Sequence, residues 1–79
     1  CRVSNLSAEG VRVRAQPSTR AILIGNLPTR ATADVLRQDR SPDDGRVWYF
    51  IYAIIEGSSE IRGWVRSDTV IQLETCPPL

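Results

Sequence analysis

The chain of 79 residues contains no lysine and no histidine. A Ser-His-Asp triad, a Cys-His dyad, a Ser-Lys pair, a Schiff-base lysine and every histidine-containing metal site each lack a required member. Hydrolysis by paired carboxylates survives this exclusion, with nine acids present. They sit mostly in turns such as Asp43-Asp44, where solvated side chains are the expected state. The chain therefore reads as a non-enzyme, and no cofactor is expected. A charge excess is missing too: ten arginines against nine acids leave a net charge of +1, unlike the basic surplus of a dedicated nucleic-acid binder. Nor is there a long apolar run. The longest, Val47 to Ile55, is far too short to cross a bilayer. No signal peptide appears, so the targeting segment of an exported protein would have been removed or would lie in a longer parent chain.

What is present is organised around that same run, Val-Trp-Tyr-Phe-Ile-Tyr-Ala-Ile-Ile, bounded by Asp43-Asp44-Gly45 and by Glu56-Gly57-Ser58-Ser59. Its β-branched and aromatic content predicts a central strand. Trp48, Phe50, Tyr52 and Ile54 share one face of it, and Tyr49, Ile51, Ala53 and Ile55 the other. Both faces are apolar, which predicts layers above and below and hence a sheet curled over itself.

Strand signals recur through the chain with no helical period. Cys1 to Asn5 forms a first short strand, and Val11, Val13 and Ala15 alternate with Arg12 and Arg14 in the next. Gln16-Pro17-Ser18-Thr19 breaks that strand, because proline has no amide hydrogen for a ladder. Ala21 to Leu27 follows, with Gly25 as a bulge or close approach, then a Leu27-Pro28-Thr29-Arg30 turn and Thr32 to Leu36. Arg37 to Arg46 reads as the longest polar loop and the most mobile segment. After the central strand come a hairpin tip at Glu56 to Glu60, its partner Ile61 to Arg66, a Ser67-Asp68-Thr69 turn and a last strand at Val70 to Leu73. Pro77-Pro78 marks the end of folded structure, so residues 1–76 form one domain with a tail at 77–79. The expectation is an all-β barrel of five to seven short, mostly antiparallel strands.

Cys1 and Cys76 stand at the two ends. An even pair in a small domain, which buries only about 60% of its unfolded surface, reads as one disulfide and implies an oxidising compartment. Two free thiols, or a lipid-bearing Cys1, are the alternatives.

The order Val11-Arg12-Val13-Arg14-Ala15-Gln16-Pro17-Ser18, Leu23-Ile24-Gly25-Asn26-Leu27, Trp48-Tyr49 and Gly63-Trp64-Val65 resembles the bacterial SH3 domain family over nearly the whole chain. The resemblance implies an SH3-like barrel with a groove between the loops at 14–21 and 37–47, with Trp48 at its edge. It also implies a non-catalytic targeting module of an exported bacterial protein, extracytoplasmic and part of a longer chain, that docks onto cell-wall peptide (peptidoglycan) or a protein partner. Three positions depart from the family: its usual asparagine is Arg12, its turn glycine is Arg30, and the aromatic after the last turn is Thr69. Without that ring a groove for proline-rich peptides is not expected.

Candidate ligand-binding residues are Trp48, Arg14, Arg12, Tyr49 and Tyr52. An indole with a polar handle suits a binding surface, and core packing is the competing role for Trp48; for Trp64 core packing is favoured. Arg12 and Arg14, on one solvated face, can hold a carboxylate by a bidentate fork, as in stem peptides. The alternative for Arg14 is a bracing pair with Asp68 or Glu9. Tyr49 and Tyr52 can equally be core residues with surface hydroxyls. Two other roles stand beside the leading one: a nucleic-acid-binding barrel using Arg12, Arg14, Arg62 and Arg66, and a structural spacer without ligand. Asp39 to Phe50 fails as a calcium loop, because the glycine falls one place late and Phe50 replaces the closing acid. Asn5-Leu6-Ser7 is a formal glycosylation sequon.

Overall fold

The computed structural model describes residues 1–55 and 59–79. Among them, seven strands form one antiparallel sheet: β1 (Arg2–Ser4), β2 (Val11–Arg14), β3 (Leu23–Leu27), β4 (Thr32–Arg40), β5 (Val47–Ile55), β6 (Ser59–Arg66) and β7 (Ile71–Gln72). Their spatial order is β3-β2-β6-β5-β4-β1-β7. A 3₁₀ turn, Ser67–Thr69, follows β6. The all-β expectation holds, and the expected hairpin tip at 56–58 lies outside the described residues.

β5 is the centre of the sheet, paired with β4 from Val47 to Tyr52 and with β6 from Trp48 to Ile55. Tyr49, Ile51 and Ala53 point inward and pack with Val3, Val11, Val13, Leu27 and Val65 into one buried core. The opposite face is covered at one end only. Trp48 is 2% exposed, Phe50 and Tyr52 are half-buried, and Ile54 is 65% exposed. The expectation of two buried faces thus fails towards Ile54. At the Trp48 end polar connections cover the face: the Ser18 hydroxyl donates to the Asp43 carboxylate, and Asp68 receives both Arg46 and Arg66.

Trp64 is buried, as favoured, but on this outer face: it stands opposite Phe50 in the ladder, with ring centroids 5.4 Å apart and the Arg37 guanidinium 5.5 Å above its ring. Arg37 itself corrects the sequence reading. β4 continues through Arg37, Gln38, Asp39 and Arg40, which pair with Phe50, Tyr49, Trp48 and Val47 after a register shift at Leu36. Charged side chains on a solvated strand face resemble a loop in sequence, and pairing with an apolar partner strand overrides that appearance. The connection shrinks to residues 41–46 and is bonded internally. Ser41 N–H donates to the Arg46 carbonyl (2.8 Å), Gly45 N–H to the Ser41 carbonyl (2.9 Å) and Arg46 N–H to the Asp44 carboxylate (2.8 Å).

The sheet closes through Asn5, which is fully buried. Its Nδ2 donates to the Leu27 and Glu9 carbonyls, each at 2.9 Å, and its Oδ1 accepts from the Ser7 N–H and hydroxyl. Its own N–H donates to the Ala31 carbonyl, and its carbonyl accepts from Arg30 N–H. One side chain thus ties the end of β1 to β3, the far edge of the strand order. The sequon asparagine faces inward and has no amide free to carry a glycan. Cys1 and Cys76 form a disulfide, with their Cα atoms 5.1 Å apart.

Candidate binding cleft

β2 and β6 share a single bridge, Arg14 opposite Trp64. Two residues further along that register, Arg12 would face Arg66 on the same side of the sheet. Like charges directly opposite each other destabilise a ladder, and here the strands part. An open cleft of about 730 Å³ lies beyond the bridge, with Arg12, Arg14 and Asn26 on the hairpin side and Arg66, Asp68 and Thr69 on the other, and with Trp48 between them. Its volume falls within the ~300–1,000 Å³ of ordinary ligand sites.

Each guanidinium has a distinct environment. Arg14, half-buried, donates through Nη1 to the Ala21 carbonyl at 2.9 Å and so pins the loop at 15–22. Among the described residues it forms neither alternative pair, with Glu9 or with Asp68, the latter being occupied by Arg66 Nε at 2.6 Å and Arg46 Nη1 at 3.2 Å. Arg12 is exposed and has no side-chain partner among the described residues. Glu9 and Asp68 also line the cleft, so three cations face two carboxylates, and the surplus is positive.

Beneath the cleft the Trp48 indole is a buried donor without a hydrogen-bond partner. Asp44 lies close enough for its carboxyl to be held below the usual range, first by the Arg46 N–H and to a lesser degree by the indole, yet no bond of hydrogen-bond geometry forms between them. A buried N–H in this state costs about 1–3 kcal/mol.

Of the five predicted ligand residues, Arg12 and Arg14 reach the cleft, while Trp48 lies under it at 2% exposure and takes the competing core role. Tyr49 and Tyr52 stand outside the cleft. Tyr49 is a core residue whose hydroxyl accepts from Gln72 Nε2 at 3.1 Å. Tyr52 lies on the outer face, its hydroxyl donating to Glu60 at 3.0 Å beneath the Arg62 guanidinium at 4.9 Å. That stacking also divides the arginine set considered for nucleic acid, because Arg62 does not line the cleft. Asn26, Thr19 and the role of Arg66 went unseen in the sequence. Finding Arg66 requires the β2–β6 register, which no local signal supplies. The two predicted groove loops touch each other through Ser18 and Asp43; the cleft is not between them, since no residue of 37–47 lines it, and lies instead between β2 and the segment 66–69.

Comparison with protein-family models, with curated proteins and with solved structures finds no match to this chain.

Proposed function

We propose that this chain is a non-catalytic binding module of an exported bacterial protein, related to the bacterial SH3 domains, which docks onto cell-wall peptide through the cleft beside Arg12. The observation that carries the reading is the convergence of Arg12 and Arg14 from β2 with Arg66 from β6, over the buried Trp48, in one concavity with a positive surplus. Supporting it are the motif order, the Trp48-Tyr49 pair at the start of the central strand and the 3₁₀ turn after the Gly63-Trp64-Val65 strand. The disulfide fits an oxidising, extracytoplasmic setting.

The test is sedimentation of the purified domain with isolated bacterial cell-wall sacculi at low and high salt, beside Arg12→Ala and Asn26→Ala variants. Both positions are exposed, so the fold tolerates the changes; Trp48→Ala would instead empty a buried site. Retention at high salt that weakens in both variants supports wall docking through the cleft. A wild-type domain that stays in the supernatant sinks it.

A further inference from the structure

Where β2 and β6 part, the geometry points to a carboxylate clamp: we infer that Arg12 and Arg66 together hold the free C-terminal carboxylate of an extended peptide lying between the two strands. The inference rests on the cleft being the ligand site.

Continued two residues past the one observed bridge, Arg14 opposite Trp64, the register would set these two residues opposite each other, where the strands have already parted. Both guanidinia therefore border the same gap. Both line the cleft. A missing rung with a cation on each side is unfavourable when empty and favourable around an anion, since each guanidinium offers a planar fork to a carboxylate.

The remaining contacts favour this pair over Arg12 with Arg14. Arg14 spends Nη1 on the Ala21 carbonyl and is half-buried. Arg66 uses only Nε, on Asp68, so neither of its Nη groups has a partner among the described residues. Asp68, which also lines the cleft, holds the Arg66 head through Nε and shares its charge with Arg46. Arg12 has its whole fork available.

Peptide chemistry is favoured over a compact anion by the shape of the gap. It lies between two strands that have parted after one bridge, and extended backbone enters such a gap by adding strand-like contacts. The 730 Å³ of the cleft far exceeds a lone anion. Asn26, opposite Arg12 in the β2–β3 ladder, adds an amide beside the carboxylate position.

The probe is acetyl-Ala-Ala with a free C-terminus, titrated into the ¹⁵N-labelled chain beside the same peptide as its C-terminal amide. The expected result is movement of the amide signals at 11–14 and 64–69 with the acid, and binding at least tenfold weaker with the amide. Arg12→Gln and Arg66→Gln should each weaken the acid about tenfold, in keeping with loss of a charge-assisted bond. Arg12→Lys, which keeps the charge and loses the fork, should recover only part of it. Equal binding of acid and amide, no binding of the acid, or unchanged binding by Arg12→Gln overturns the clamp. Sacculi that sediment while acid and amide behave alike would remove the clamp and leave the wall-docking reading standing. Acid-selective binding without sedimentation would do the reverse.

Discussion

Asn5 Nδ2 donates to the Leu27 carbonyl at 2.9 Å, joining the end of β1 to the far edge of the strand order inside the core. Seven strands become a closed structure partly through this one amide. Asn5→Ala leaves the Leu27 and Glu9 carbonyls without that donor in or near the interior, and a buried group so abandoned costs about 1–3 kcal/mol. The expected loss is about 3 kcal/mol in urea unfolding, and Asn5→Asp should lose a similar amount, having no N–H to donate. Enzymatic glycosylation of the folded protein at this sequon should fail, as a mass measurement after treatment would read.

Gly63 and Gly45 separate two reasons for glycine. A Cβ at Gly63 would stand 2.5 Å from Val13 Cγ1 and 2.8 Å from the Arg14 carbonyl oxygen, with Ile24 Cδ1 at 2.7 Å. Gly63→Ala therefore forces β2 away from β6 and should cost about 3 kcal/mol or more, at the upper end for overpacking. Gly45 has φ +69° and open space around it, so Gly45→Ala should cost only about 1 kcal/mol of left-handed backbone strain. Chemical denaturation of both variants checks the order.

Arg30 occupies the turn with φ 69°, the one non-glycine residue in this region among those described. The turn keeps the geometry that glycine serves best and bears the strain in an arginine. Arg30→Gly should stabilise the protein by up to about 1 kcal/mol, since relief of roughly 1–2 kcal/mol exceeds the entropy cost of glycine. An unchanged or lowered unfolding midpoint would show that the Arg30 side chain contributes more than its backbone costs.

These positions also show how far the sequence carries. The strands built on β-branched alternation, β2 and β5, are legible because their partners agree with their local pattern. The second half of β4 is not: Arg37, Gln38, Asp39 and Arg40 have the composition of a loop, and only the register with Val47 to Phe50 makes them a strand. Asn5 reads as a surface sequon because nothing local reveals that its amide bridges residues far along the chain. In the cleft, Arg12, Arg14 and Trp48 are visible as chemistry, whereas Arg66 becomes a site residue only through the interrupted pairing of β2 and β6.

Among the described residues, three groups with shifted acidity tie stability to pH. The Glu74 carboxyl is held below its ordinary 4.5 by the Arg2 hydrogen bond and charge, and Asp44 below 3.8 mainly by the Arg46 N–H. A lowered carboxyl contributes stability that is complete above its ordinary value and is lost as pH falls through the lowered folded value. Tyr52 is raised above 10.0, mainly by its bond to Glu60, so its contribution is complete below that value and disappears as pH rises through the folded one. Urea midpoints should fall on acidification below about pH 4, and the fall should be shallower in a Glu74→Gln, Asp44→Asn double variant.

Reduction of the disulfide should cost about 4–5 kcal/mol in the chain-entropy account, given the long loop it closes. Beside it, Arg2 pairs with Glu74 at 2.9 Å and Gln38 Nε2 donates to the Pro77 carbonyl at 2.8 Å. These contacts are exposed and weak. Cys1→Ser with Cys76→Ser should accordingly lose nearly all of the amount seen on reduction, as paired denaturation curves would read.

The same bond has a mechanical consequence. A load applied to the chain through residues 1 and 76 passes across two sulfur atoms and bypasses every strand between them. Without the bond, unravelling a separation of 75 residues would lengthen such a tether by roughly 250 Å, at 3.3–3.6 Å per residue. With it, the Cα atoms stay about 5.1 Å apart whether the barrel is folded or not. Strung along a longer polypeptide under tension, the domain is an inextensible link, and its cleft is shielded from the pull.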